Sequence, residues 1–151
     1  MRAVVQRVTS AEVRSRTEPG GVFETVGRIE RGLCVLVGVT HADQPEQADR
    51  LVSKLAGLRV FDDEDGVMNV GALEAGADFL VVSQFTLYGD TRKGRRPSWT
   101  EAAAPAHAEP LVQRVVDGLL ALGATVASGR FRTDMRVALV NDGPVTLIIE
   151  M

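Results

Sequence analysis

A β-rich α/β fold of the α+β kind, with antiparallel and mixed sheets and two helices, follows from three patterns in the chain. Stretches rich in β-branched residues, several with two-residue alternation, recur from Arg2 to Glu150. Two longer stretches repeat their apolar residues at three- and four-residue spacing, the mark of a helix with one buried face. Gly, Pro, Asn and Asp gather between these stretches and punctuate them. With 151 residues, 45% hydrophobic and 25% charged, the chain fits one domain over residues 1–151 that buries about two-thirds of its unfolded surface.

Taken in order, Arg2 to Val13 is a first strand, with Ala3, Val5 and Arg7 on one side and Val4, Gln6 and Val8 on the other. Arg14 to Gly21 is a turn-rich connection, and Val22 to Val26 resumes strand composition, so a long hairpin is expected. Leu33 to Val39 is a third strand. Asp43-Gln-Pro-Glu46 has the form of a capping box, with Asp43 as cap and Pro45 in the first turn, where a missing N–H costs nothing. The helix it opens carries Ala48, Leu51, Val52, Leu55 and Leu58 on one stripe. Val67 to Val70 and Phe79 to Val82 are strand material. Leu111, Val112, Val115, Val116, Leu119 and Leu122 mark a second helix over Ala106 to Leu122, ended by Gly123. Thr125–Ser128, Met135–Val140 and Val145–Glu150 are the last strands, the final two joined by Asn141-Asp-Gly-Pro144.

Composition narrows the function. The start, Met1 to Arg7, lacks the apolar core of a signal peptide, no run is long enough for a membrane helix, and the chain is expected to be cytoplasmic. Cys34 is the only cysteine, so neither a disulfide nor a cysteine metal cluster is available, and in its apolar run it is a small buried hydrophobe. A net charge of -3 argues against gripping nucleic acid over the whole surface, while leaving room for a local basic patch. The acids of Phe61-Asp-Asp-Glu-Asp-Gly66 lack the alternating ligands and closing glutamate of a calcium loop and read as a solvated turn. Arg92, Lys93, Arg95 and Arg96 lie in a loop without P-loop spacing, which suits either soluble surface or an anionic partner.

The stretch Phe79 to Tyr88 stands apart, because an apolar strand gives way to Ser83, Gln84 and Thr86 with no Gly or Pro between. Each polar group taken out of water needs a partner, so such a run either bonds neighbouring backbone or builds a site. In an extended chain Gln84 and Thr86 project to one side, Ser83 and Phe85 to the other. Gly143-Pro144 combines a residue free in its backbone angles with an X-Pro bond able to be cis, making a rigid protrusion poor in side chains.

Together, Ser83-Gln-Phe-Thr-Leu87 and Asn141-Asp-Gly-Pro-Val-Thr146 resemble the two signature motifs of the D-aminoacyl-tRNA deacylases, and the likeness spans nearly the whole chain. Arg2 to Val8, Gly32 to Val39 and Lys93-Gly-Arg-Arg-Pro-Ser98 resemble the family's opening strand, third strand and basic loop. The Glu18-Pro-Gly-Gly21 hairpin departs from it by looking a few residues longer. The resemblance implies a barrel-like core with outer helices and a homodimer with active sites at the subunit interface. It implies hydrolysis, without metal or cofactor, of the ester joining a D-amino acid to the terminal adenosine of tRNA, with no DNA and no membrane as partner. Glycyl-tRNA, including glycine mischarged on tRNA(Ala), is implied as a second substrate.

The resemblance also assigns residues. Thr86, Gln84, Ser83 and the backbone N–H of Phe85 form the catalytic segment of one subunit; Gly143, Pro144 and Val145 of the other complete it and select chirality. Arg7 is a candidate to hold the Gly-Pro element through its carbonyls or to be a surface ion-pair partner, Met135 to line the pocket or fill the core, and Arg92, Lys93, Arg95 and Arg96 to bind tRNA. The residues agree with this chemistry. His41 and His107 sit near helix starts, no carboxylate pair is evident, and an aminoacyl ester is activated enough for oxyanion stabilisation by N–H groups near Phe85 and Thr86 to serve. Thr86 is either a nucleophile or an anchor beside a water activated by the substrate's ribose hydroxyl, and the lack of a base favours the anchor. Ser83 and Gln84 orient the adenosine or the loop. The rival readings are a non-catalytic RNA-binding module, using the Arg92–Arg96 loop with Phe85, Tyr88 or Trp99 for stacking, and a general small-ester esterase.

Overall fold

The computed structural model describes residues 1–92 and 94–151. The sheet is assembled on β1 (Arg2–Arg16). β8 (Asp134–Glu150) runs antiparallel along one of its edges from end to end. The other edge is shared, β3 (Gly32–Gly38) pairing with Arg2–Val8 and β2 (Glu24–Ile29) with Ala11–Ser15. β6 (Asp78–Ser83) then lies parallel to β3, and β7 (Val126–Ser128) parallel to β6. β7 comes round to β2, where a Cβ on Gly27 would stand 2.9 Å from the Ser128 carbonyl oxygen, so the sheet is a nearly closed barrel. β4 (Arg59–Asp62) and β5 (Met68–Gly71) form a separate two-stranded ribbon.

Alternation along the strands sorts side chains into two cores. Leu33, Val35, Val37, Phe79 and Val81 face an outer core beneath the helices; Cys34, Leu80 and Val82 face an inner one within the barrel. Being buried on both faces is why these strands read as unbroken apolar runs. β1 changes phase midway. Ala3 and Val5 belong to the outer core, yet Val8, Ala11 and Val13 all belong to the inner one. The register explains it: Val8 pairs with Asn141 and Ser10 with Val140, so Thr9 is an extra residue, a β-bulge that reverses the sides.

α1 (Pro45–Ala56) and α2 (Pro105–Ala121) cover the outer core with Ala48, Leu51, Val52 and Leu55 from one and Leu111, Val115, Val116 and Leu119 from the other. Two details differ from the sequence pattern. The cap of α1 is Gln44, in a capping box with Gln47, because Asp43 is committed elsewhere: its carboxylate takes the Met1 amino group and, at 2.8 Å, the Thr40 N–H. Leu58 lies beyond α1, and Leu122, at the cap of α2, is exposed. The acidic turn is as expected, with the Asp63 carboxylate accepting the N–H groups of Asp65 and Val67 at 3.1 and 3.0 Å. Among the described residues no helix is long and apolar enough to cross a membrane.

Candidate active site

The strand that leads into the site stops at Ser83, and the extended continuation expected from the sequence is replaced by a 3₁₀-helix over Phe85–Tyr88. The Gln84 N–H donates to the Val37 carbonyl at 2.7 Å, a last rung beside β3, and the chain then folds over the end of that strand. Gly38 makes the fold possible: a Cβ there would lie 3.1 Å from both the Gln84 carbonyl oxygen and the Leu87 Cβ. Leu87 N–H to Gln84 carbonyl (3.2 Å) and Gly89 N–H to Thr86 carbonyl (3.0 Å) close the turn. The amide does sit beside the hydroxyl, Gln84 Nε2 donating to Thr86 Oγ1, but the turn brings them together and strand alternation does not. Ser83, Gln84 and Phe85 consequently line one cleft instead of opposite faces.

This cleft, about 700 Å³, has three walls: Ser83–Phe85, the segment from Trp99 to Pro105, and Phe131–Met135. Its size suits a small ligand or the end of a larger one. Phe85 and Trp99 meet edge to face with centroids 5.4 Å apart, yet remain 57% and 43% exposed, leaving apolar ring surface at the mouth. Met135 lines the cleft and packs on the inner core. The N–H groups of Phe85 and Thr86 begin the 3₁₀ turn and have no acceptor among the described residues, so two adjacent donors stand ready for an oxygen. The sequence marks Trp99 only as a stacking candidate, and it gives no signal for Phe131–Asp134, a short turn before a strand.

Asn141–Pro144 is not a join between two strands. β8 is continuous, and the element is a bulge within it: Gln6 pairs with Thr146 and Val8 with Asn141, so residues 142–145 all stand opposite Arg7. Gly143 has φ +112, which a side chain would strain, and its bond to Pro144 is cis. Asn141 brackets the bulge, accepting the Val145 N–H at 3.2 Å and donating to Thr146 Oγ1 at 2.9 Å, while Val145 packs on the outer core. Gly143 and Pro144 remain exposed. Arg7, only 8% exposed, runs beneath them. The expected bonds to the Gly143 and Pro144 carbonyls are not formed. Arg7 Nη1 instead donates to the Val60 carbonyl at 2.6 Å and approaches Asp62 at 3.4 Å, while Nε lies 3.1 Å from the Asp142 carboxylate. The long side chain reaches past the bulge to the Val60 carbonyl of β4.

Gly143 and the 3₁₀ turn are far apart in one chain. Arg2, at the start of β1, donates to the Leu87 carbonyl at 2.6 Å, whereas Arg7, five residues along, underlies Gly143. Five strand residues span roughly 17 Å.

The basic loop is closed by reciprocal bonds between Asp90 and Ser98, at 2.8 and 2.9 Å. Arg92 turns back in a bidentate pair with Asp90, both contacts 2.9 Å, and this arginine holds the Asp90 carboxyl at a pKa of about 2. Arg95 and Arg96 are exposed, and Lys93 lies outside the described residues. His41 and His107 are both engaged with backbone carbonyls, of Thr100 and Asp43, at 2.8 Å.

Comparison with known proteins agrees along the whole length. The family profile described as D-Tyr-tRNA(Tyr) deacylase matches residues 4–150. The D-aminoacyl-tRNA deacylase of Symbiobacterium thermophilum is 55% identical over 150 residues, covering 99% of this chain and 95% of that protein. That of Streptomyces avermitilis is 56% identical over 151 residues, covering 99% of each. Among solved structures, one described as c-Myc DNA unwinding element binding protein superposes with a TM-score of 0.87 at 35% identity, covering 100% of this chain and 99% of that one. A probable eukaryotic D-amino acid tRNA deacylase shares the fold, with a TM-score of 0.81 at 17% identity and coverage of 99% and 98%. The barrel with its cleft is thus that of a hydrolase. Within that class, the chain belongs to the D-Tyr-tRNA(Tyr) deacylase family.

Proposed function

We propose that this protein hydrolyses the ester of D-aminoacyl-tRNAs, releasing the D-amino acid and tRNA, and so removes wrong-handed residues before translation uses them. The observation that carries the reading is the pair of unpartnered N–H groups at Phe85 and Thr86, in the turn whose first residues border the cleft of a chain that matches the family from residue 4 to 150. A carbonyl oxygen seated on both donors gains stabilisation as it becomes an oxyanion, about 3 kcal/mol for one such donor. Thr86 accepts from Gln84, which leaves its own hydroxyl hydrogen to hold the substrate; it anchors while the terminal ribose hydroxyl activates the attacking water. Phe85 and Trp99 offer ring surface to the terminal adenine. Arg95 and Arg96 take phosphates further along the tRNA, which reaches the protein in the cytoplasm.

Selection of hand falls to Gly143-Pro144 of a second copy. Within one chain the bulge is roughly 17 Å from the turn, so a homodimer is what brings the two together. The outer edge of β8 is unpaired among the described residues, and Val140, Leu147 and Ile148 beside the bulge are 57%, 38% and 71% exposed, an apolar surface suited to a twin. Main chain at the bulge meets the substrate amino group and leaves no space for an L side chain; glycine, having none, passes, which makes glycyl-tRNA(Ala) a second substrate.

The test is release of tyrosine from D-tyrosyl-tRNA, with L-tyrosyl-tRNA as control, beside light scattering for mass. D-specific turnover by a dimer is expected. Binding without turnover would select an RNA-binding module, equal D and L rates would overturn the stereochemical filter, and a fully active monomer would overturn the shared site.

A further inference from the structure

The turn that forms the third wall of the cleft contains the one non-glycine residue with positive φ among the described residues, Arg132 at +59°. An L residue pays conformational energy for that geometry, and it persists only where neighbours over-determine it. Here they do. The Thr133 hydroxyl donates to the Arg130 carbonyl at 2.9 Å, which leaves the buried Ser15 hydroxyl to donate to Thr133 at 2.6 Å, pinning the turn to β1. The fold therefore places a long cation where glycine would sit without strain.

The charges around it point the same way. Arg132 and Asp134 are the charged residues of the cleft wall. Asp134 is taken by Arg16, at 2.9 Å, and Arg130 lies 3.9 Å from Glu24. Arg132 is exposed at the rim and makes no ion pair among the described residues. Across the mouth stand Phe85 and Trp99, with the unpartnered N–H groups beyond. The terminal nucleotide of an aminoacyl-tRNA, its ester seated on those donors, carries its one permanent negative charge on the 5′ phosphate, which must leave the cleft over a rim. We propose that Arg132 is a substrate-binding residue that takes the phosphate joining the terminal adenosine to the nucleotide before it. This rests on the deacylase reading above and adds to it a contact that the loop around Arg95 and Arg96 does not make.

The experiment compares two substrates, D-tyrosyl-tRNA and the D-tyrosyl ester of adenosine, which lacks the phosphate, in wild type, Arg132→Gly and Arg132→Lys. Arg132→Gly relieves the positive φ, so its Tm is expected to equal or exceed that of wild type, which removes misfolding as a cause. KM for tRNA rises about tenfold, as for loss of one charge-assisted hydrogen bond. That rise exceeds any change on the adenosine ester by about the same factor. The slope of log affinity for uncharged tRNA against log salt falls by about 0.7, one phosphate contact on a single strand. Arg132→Lys restores the slope. Equal losses on both substrates, or an unaltered salt slope in Arg132→Gly, would overturn the assignment. If wild type turns over neither substrate, the deacylase reading fails by itself; the Arg132 contact is then decided by tRNA affinity, upheld by a tenfold loss in Arg132→Gly and overturned by none.

Discussion

Arg7 Nε lies 3.1 Å from the Asp142 carboxylate on one side, and Arg7 Nη1 donates to the Val60 carbonyl at 2.6 Å on the other, so a single buried side chain ties the bulge of β8 to the ribbon beneath it. The two contacts differ in weight. Asp142 and Asp62 are about half exposed and keep their hydration, whereas Val60, 7% exposed, has little access to other partners. Arg7→Leu is expected to cost about 2 kcal/mol, most of it from the stranded carbonyl, and Asp142→Asn less than about 1 kcal/mol, in urea unfolding.

Thr86→Ala removes the acceptor for the Gln84 amide and the proposed anchor but leaves both backbone donors in place. Single-turnover hydrolysis of D-tyrosyl-tRNA is expected to fall by no more than about tenfold, the scale of one hydrogen bond. A variant that folds normally and is wholly inactive would instead make Thr86 a nucleophile.

Replacing Pro144 by Ala keeps Gly143 and the Asn141 bracket while loosening the tip. Its Tm is expected to move by a few degrees at most. The ratio of D to L hydrolysis is expected to fall by about tenfold or more, since about 1.4 kcal/mol of lost exclusion is a factor of ten.

Asp90 is held at a pKa of about 2 by the Arg92 guanidinium and N–H, below its ordinary value of 3.8. A depressed carboxylate stabilises the loop above the unfolded value and loses that contribution as pH falls through 3.8 toward 2. An NMR titration is expected to show Asp90 ionising near 2 in wild type and closer to 3.8 in Arg92→Ala.

Burial pushes the Cys34 thiol from 9.0 up to about 11. The native protein at pH 8 is expected to resist a thiol reagent such as DTNB and to react fully in urea. The unfolded thiol ionises first as pH rises, so Cys34 lowers stability between about 9 and 11. Rapid labelling of the native chain would show the barrel interior to be open.

Much of this was legible in the sequence wherever short-range pattern decides structure. The apolar runs at Leu33–Val37 and Phe79–Val82 and the stripes of α1 and α2 announce elements buried on two faces or one. The legible part ends where a distant contact overrules local form. Asp43 has the form of a helix cap but serves the Met1 amino group, and Ser83 to Tyr88 has the composition of a strand but curls because Gly38, some fifty residues earlier, leaves room for it. Asn141–Pro144 looks like a hairpin turn because Gly and Pro mark reversals and bulges alike; only pairing of both flanks to β1 tells them apart. Phe131–Asp134 reaches the cleft wall in a turn that Thr133 ties to the distant Ser15 of β1, which no local pattern encodes.

The extra residue at Thr9 joins fold to site. Up to Arg7 the odd positions of β1 look outward, and this is what lays Arg7 against Val60; from Ala11 onward odd positions look inward and fill the barrel. A ruler-straight β1 could satisfy one half of the molecule or the other. Excising Thr9 would force the chain to choose between a seated Arg7 and a filled lumen, so one hinge of parity holds the bulge of β8 and the barrel in step.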